Sequence, residues 1–142
     1  MIKIVAVGKM KNRQLAELTD EYLKRLARFD KVELVEIKDC TVEKEGQKML
    51  ELLEKFKGSV FALGEEGAEF TSEEFSKLLE KNPNSAFLIG SAYGLSGAVK
   101  NFSKQIIALS KMTFTHEFAR TFLAEQLYRA KSITANTGYH HK

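Results

Sequence analysis

Five short apolar or β-branched runs punctuate the chain, at Ile2–Val7, Val32–Ile37, Ser59–Leu63, Ala86–Ile89 and Ile106–Leu109, with helical patterns between and after them. A helix between two strands carries the chain back to the edge from which the first strand started. A β-α unit repeated five times therefore predicts one α/β domain with a largely parallel sheet. The first helix, expected over residues 14–29, sets Leu15, Leu18, Tyr22, Leu26 and Phe29 at three- and four-residue spacing; the second, over 42–56, does the same with Val42, Met49, Leu52, Leu53 and Phe56. "TSEEFSKLLE" opens on Thr71 with Glu74 three residues later, the spacing of a capping box, and it stops where Pro83 disfavours a helical Asn82. No linker, low-complexity tract or internal repeat interrupts the pattern, so residues 1–142 are expected to form a single domain. A chain of this size buries roughly two thirds of its extended surface, enough for a core without disulfides.

Several classes are excluded by what the chain lacks. No apolar stretch approaches the ~20 residues of a membrane span. "MIKIVAVGKMK" has only a short apolar run before a Gly-Lys loop, too little for a signal-peptide core, and a cytoplasmic address is expected. Cys40 is the only cysteine; it has no base near it in sequence and is read as an inert thiol. The charge is segregated. Residues 1–31 hold 8 Lys/Arg against 4 Asp/Glu, residues 32–99 hold 7 against 13, and residues 100–142 hold 7 against 2. If the two basic ends meet in space they present a face to a polyanion such as nucleic acid, although a modest surplus of surface lysine is also commonplace.

In a parallel sheet, ligands bind beyond the carboxyl ends of the strands. "LIGSAYGLSG", residues 88–97, lies there, with glycines at 90, 94 and 97. The spacing G-x-x-x-G-x-x-G is not the dinucleotide fingerprint, no Gly-Lys-Ser/Thr closes a phosphate loop, and Ser96 does not satisfy the nucleophile elbow. What remains is either a plain turn or a loop whose backbone comes close to a ligand, with Ser96 as the N-cap of the next helix. Similar loops follow the third strand ("FALGEEG") and the fifth ("IALSKMTFTHEF"), so three strand ends converge. His116 stands alone, His140 and His141 are adjacent, and no set has metal-ligand spacing. A neutral pocket of backbone donors and acceptors suits an adenosine-bearing cofactor better than a triphosphate.

The last helix, expected over 116–131, has two faces that want burial. Ala119, Leu123, Leu127 and Ala130 share one with His116; Phe118 and Phe122 share the other with Glu125 and Arg129. One face can pack on the sheet and the other on a second subunit, which points to a homodimer. Glu125 and Arg129 form an i,i+4 pair that is open to a purely structural reading. The closing "YHHK" reads by itself as a solvated tail.

"FLIGSAYGLS", "LSKMTFTHEFARTFLAEQLYRAKSI" and "GYHHK", together with "IVAVGKMK", "EYLKRL" and "ELVEI", resemble the RlmH family of SPOUT methyltransferases over nearly the whole chain. The resemblance implies a five- or six-stranded mainly parallel sheet with helices on both faces and a carboxyl-terminal trefoil knot. It also implies a homodimer, an S-adenosylmethionine cofactor, and methylation of N3 of a pseudouridine in 23S ribosomal RNA within the ribosome, with no membrane and no metal involved. Carried over by position, Leu63, Gly90 and the segment Leu109, Ser110, Lys111, Met112, Thr113 and Phe114 wrap the cofactor. The resemblance departs at Ser91, where a second glycine is usual, at Thr115, where a proline commonly precedes the histidine, and in a short link between the second strand and the second helix.

The chemistry asks for alignment of a methyl donor with a ring nitrogen and for removal of one proton. A neutral histidine serves as base near pH 7 and an arginine stabilises charge developing on carbonyl oxygens. His140 is accordingly expected as the base, Arg129 as the electrostatic stabiliser and Tyr139 as a stacking or hydrogen-bonding partner of the pyrimidine. His116 and Arg120 are further candidates for positioning RNA. The rival readings are a different α/β small-molecule enzyme, for which no triad, metal set or phosphate motif is present, and a noncatalytic RNA-binding protein of the same fold.

Overall fold

The computed structural model describes residues 1–141; Lys142, the last residue of the "YHHK" tail, lies outside them. The elements in chain order are β1 (Ile2–Val7), α1 (Arg13–Leu26), β2 (Val32–Ile37), α2 (Val42–Leu53), β3 (Ser59–Glu69), α3 (Ser72–Lys81), β4 (Ser85–Ile89), α4 (Gly97–Phe102), β5 (Gln105–Ala108) and α5 (His116–Ala135). The five strands form one sheet in the order β2-β1-β4-β3-β5, and every pairing is parallel. The expected strand and helix alternation is thus realised, with five strands rather than six.

Because successive strand residues face opposite sides, each strand feeds two cores. Ile2, Ile4, Phe61, Phe87, Ile89 and Ile107 face Leu26 of α1, Phe75 and Leu79 of α3, and Leu123 and Leu127 of α5. Val5, Val7, Val60, Ala62, Ala86 and Leu88 face Met49 and Leu53 of α2 and Val99 of α4. Helices therefore cover both faces of the sheet. At the centre of the first core Phe61 and Phe87, both fully buried, stack with ring centroids 5.4 Å apart. Burying such a side chain contributes about 1.5–3 kcal/mol.

Helix starts follow their caps. Thr71 accepts the Glu74 N–H at 3.1 Å while the Glu74 carboxylate accepts the Thr71 N–H at 2.8 Å, the reciprocal box expected from the sequence. Ser96 caps α4 by accepting the Val99 N–H at 3.2 Å.

Boundaries differ where tertiary contacts decide them. Helices α1 and α2 each end three residues earlier than expected, because Phe29 and Phe56 sit in closing turns, bonded to the Leu26 and Leu53 carbonyls. Strand β3 continues past Leu63 to Glu69, with a register shift between Leu63 and Ala68 as it runs beside β5. Gly67 permits that approach, since a Cβ there would strike the Ile106 carbonyl. Helix α5 runs on to Ala135 and ends on Asn136 in the left-handed region, where Thr137 N–H closes on Ser132 O at 3.1 Å. Gly138, at φ +81°, then turns the tail back toward the helix.

Candidate active site

Two clefts open at the carboxyl edge of the sheet. The larger, about 940 Å³, lies beyond the ends of β4 and β5 and beside the middle of β3, and is lined by Leu63, Gly90, Leu109, Ser110, Met112, Thr113 and Phe114. Every residue expected to wrap the cofactor is on that wall except Lys111. The Lys111 side chain is 85% exposed and turns outward toward Glu69, 3.8 Å away.

One side of the wall is a tight backbone turn. After β4 the chain folds into a tight turn in which Ser91 bridges Gly94, and a Cβ on Gly90 would come within 2.5 Å of the Gly94 carbonyl oxygen. Gly90 is therefore required by the closeness of its own loop, and that loop forms one side of the cleft. The apolar floor comes from Leu63, Ile89, Leu95 and Leu109. Glu65 and Glu66 at the rim are tied back, to the Thr113 hydroxyl and to the Lys100 ammonium respectively. The Lys100 hydrogen bond holds the Glu66 carboxyl below the usual carboxylate range. A cleft of this size, apolar with a few convergent polar groups, matches the general form of a cofactor site.

The second cleft, about 650 Å³, lies between α3, β5 and α5 and shares Leu109 and Phe114 with the first. Beside it, the three residues expected to carry the chemistry are brought together by the turn at Gly138. Arg129 donates from Nε to Glu125 Oε1 at 3.1 Å and from Nη2 to Glu125 Oε2 at 2.7 Å. Tyr139 donates its hydroxyl to the same Oε2 at 2.7 Å and places its ring 4.8 Å from the guanidinium carbon. Arg129 Nη1 lies 3.0 Å from His140 Nδ1, and His140 Nε2 lies 3.0 Å from Glu73 Oε1.

This arrangement fixes the imidazole. A guanidinium only donates, so Nδ1 accepts, and the proton of the neutral ring sits on Nε2 facing Glu73. The hydrogen bond to Glu125 raises the Arg129 pKa above its ordinary value, so its charge is constant. Burial raises the Tyr139 phenol well above its ordinary value, and hydrogen bonds with Tyr22 and Glu125 act in the same direction. The i,i+4 pair of Glu125 and Arg129 is therefore the hub of a network. Within the tail Tyr139 and His140 are both half-buried rather than solvated, whereas His141 is exposed.

Neither Tyr139 nor His140 lines the larger cleft of its own chain. Nor does Arg120, which sequence reading offered to RNA. It is 3% exposed, pairs with Glu36 and donates to the Gly8 carbonyl at 2.9 Å, so it pins α5 to the end of β1. His116 does lie on the wall of the larger cleft. Glu73 was missed; its position in the first turn of α3 gives no sign that the tail returns to it. The Phe118 and Phe122 rings stack 5.7 Å apart and remain 44% and 40% exposed, while Leu123 and Leu127 on the opposite side of α5 are buried. Cys40 is exposed and unpaired in a disulfide. Among the described residues no helix is long and apolar enough to cross a membrane, and no group of His, Cys, Asp and Glu is placed to hold a metal.

Comparison with known proteins agrees with this geometry. A family profile described as "Predicted SPOUT methyltransferase" matches residues 1–140. The protein named ribosomal RNA large subunit methyltransferase H of Caldicellulosiruptor bescii is 40% identical over 154 aligned positions, covering 99% of each chain. The proteins of that name from Prochlorococcus marinus, strain NATL2A, and Mycoplasmopsis synoviae are 44% and 39% identical, covering 97% and 98% of this chain and 94% and 98% of their own. With a match over almost its whole length and a cofactor-sized cleft at its strand ends, the chain belongs to the SPOUT methyltransferases, enzymes that use S-adenosylmethionine.

Proposed function

We propose that this chain methylates N3 of a pseudouridine in large-subunit ribosomal RNA, acting as a homodimer on the assembled ribosome. The observation that carries the reading is the pairing of the strand-end cleft with the Glu125, Arg129, Tyr139 and His140 cluster across the shared wall of Leu109 and Phe114. The relatives' names supply the RNA. The single-domain reading of residues 1–142, the cytoplasmic address and the carboxyl-terminal knot belong to the same proposal.

In this reading Leu63, Gly90, Leu109, Ser110, Met112, Thr113 and Phe114 hold the cofactor, which when bound supplies an electrophilic methyl group. The exposed Phe118 and Phe122 face joins two copies and brings the tail of one chain to the cleft of the other. That is the simplest way for Tyr139 and His140 to act, since neither lines the cleft of its own chain. His140 Nδ1 takes the N3 proton once Arg129 swings off it. The same movement delivers the guanidinium to charge developing on the pyrimidine oxygens, while Glu73 stabilises the resulting imidazolium. Tyr139 offers its ring to the base.

The test is transfer of labelled methyl from S-adenosylmethionine to ribosomes lacking the modification, with free subunits and naked 23S RNA alongside. Label on pseudouridine N3 of the intact ribosome is expected. Cofactor binding with no transfer to any substrate would sink the RNA reading and leave a binding protein.

A further inference from the structure

The basic amino-terminal segment divides into two parts in the fold. Helix α1 neutralises its own cations, since Arg13 pairs with Glu17 at 3.1 Å, Lys24 with Asp20 at 3.7 Å, and Arg25 with Glu21. The loop before it does not. Lys9 and Lys11 are exposed, and among the described residues neither side chain forms an ion pair. Two lysines on a surface loop are ordinary in themselves; what distinguishes these is how their loop is held.

Residues 8–12 are clamped at both ends by α5. The buried Arg120 donates from Nη2 to the Gly8 carbonyl at 2.9 Å, and the Glu117 carboxylate accepts the Asn12 N–H at 2.9 Å. That second bond holds the Glu117 carboxyl below the usual carboxylate range. The Gly8 N–H donates to the Ile37 carbonyl at 2.8 Å, and the Asn12 side chain caps α1 by accepting the Leu15 N–H at 3.0 Å. Gly8, at φ +79°, turns the chain off the end of β1. Burying a guanidinium is costly even when it is paired. Here it secures a stretch of backbone whose side chains at Lys9 and Lys11 stand in solvent, so two charged residues of α5 preorganise a cationic loop.

The loop stands at the mouth of the larger cleft, which Asn12 and Leu15 line beside His116 and Glu117. A nucleotide base cannot enter a cleft without bringing its own phosphates to the mouth. An ammonium is a compact charge with three donors, suited to a phosphate oxygen, and contacts of that kind fix the register of a nucleic acid without reading its sequence. We propose that the 8–12 loop is a phosphate-binding subsite: Lys9 and Lys11 grip the sugar-phosphate backbone of the RNA strand whose target base enters the larger cleft. The inference rests on the reading that the chain acts on ribosomal RNA.

The test compares the full-length protein with its K9A/K11A, K9R/K11R and K24A variants. Binding to ribosomes lacking the modification is read by co-sedimentation, and single-turnover transfer by labelled S-adenosylmethionine, over potassium chloride concentrations from about 50 to 200 mM. K9A/K11A is expected to weaken ribosome binding about tenfold at the lower salt and to flatten the slope of log affinity against log salt by about 1–2. Its transfer rate at saturation and its calorimetric affinity for S-adenosylmethionine should stay within about twofold of the parent. K9R/K11R keeps both charges and should recover binding; K24A removes a cation already paired on α1 and should match the parent. Parental affinity in K9A/K11A overturns the proposal. So does weaker binding with an unchanged salt slope, which would point to a protein surface of the ribosome. An equal loss of cofactor affinity also overturns it, since the loop would then only shape the cleft. A parent that binds ribosomes without transfer would remove the proposed methylation and leave the salt slope to decide the subsite. A parent that binds none would remove both.

Discussion

The strand-end cleft and the cluster around Arg129 share Leu109 and Phe114, yet they are held by different means. One side of the cleft is a backbone turn brought into close quarters, with Gly90 admitting no side chain, and the rim carboxylates are held by Thr113 and Lys100. The cluster is side chain throughout, five polar residues bonded in series from Tyr139 through Glu125, Arg129 and His140 to Glu73. A wall of backbone keeps its shape whichever state the tail adopts. A chain of side chains has one charged hub, so removing a member frees its neighbours. Binding and chemistry should therefore be separable by mutation.

His140→Ala should separate them most. Single-turnover methyl transfer is expected to fall about 10²–10⁴-fold while cofactor affinity stays within about twofold. Equal loss of both would show that the cleft and the cluster are one unit. Gly90→Ala is the converse: a Cβ forced against the Gly94 carbonyl should weaken cofactor binding about 10–100-fold by calorimetry, with a much smaller loss of rate at saturation. Glu125→Gln tests the hub. The Tyr139 phenol, raised above its ordinary pKa by burial with help from Tyr22 and Glu125, should not titrate near pH 10 in the parent. In the variant, its ultraviolet absorbance change should shift to lower pH. Titration of Tyr139 near pH 10 in the parent would mean that the tail is not docked. The smallest effect is expected at Thr71→Ala, which breaks the capping box of the helix bearing Glu73 and should cost about 1 kcal/mol in urea denaturation with little change in affinity.

The same contrast explains what the sequence disclosed. Strands β1 and β2 end where their apolar runs end, and the Thr71 and Glu74 box is local chemistry, so both are readable from neighbours in the chain. The extension of β3 through Gly64–Glu69 was missed because its two glycines and three glutamates carry no strand pattern; β5 alongside imposes the conformation. Arg120 reads as a surface cation until Glu36 and the Gly8 carbonyl are brought to it from the far end of the chain. The residues expected to wrap the cofactor were placed through resemblance, and all of them except Lys111 line the strand-end cleft. Glu73 meets His140 through a contact that no spacing records.

The all-parallel pairing has a consequence for how the protein comes into being. Ile2 pairs with Ser85, and α5 lies along α1, where Thr19 and Thr121 meet at 2.8 Å between hydroxyls. With no hairpin to nucleate it, assembly must close long loops before most contacts are gained, a slow route for a chain of this length. During synthesis the central strands can pair before the last helix is released, but α1 waits for its partner and the Arg129 cluster waits for the final residues. The loops after the central strands are therefore the earlier structure and the tail the later one, so a chain that has not yet reached Tyr139 and His140 cannot assemble the Arg129 cluster.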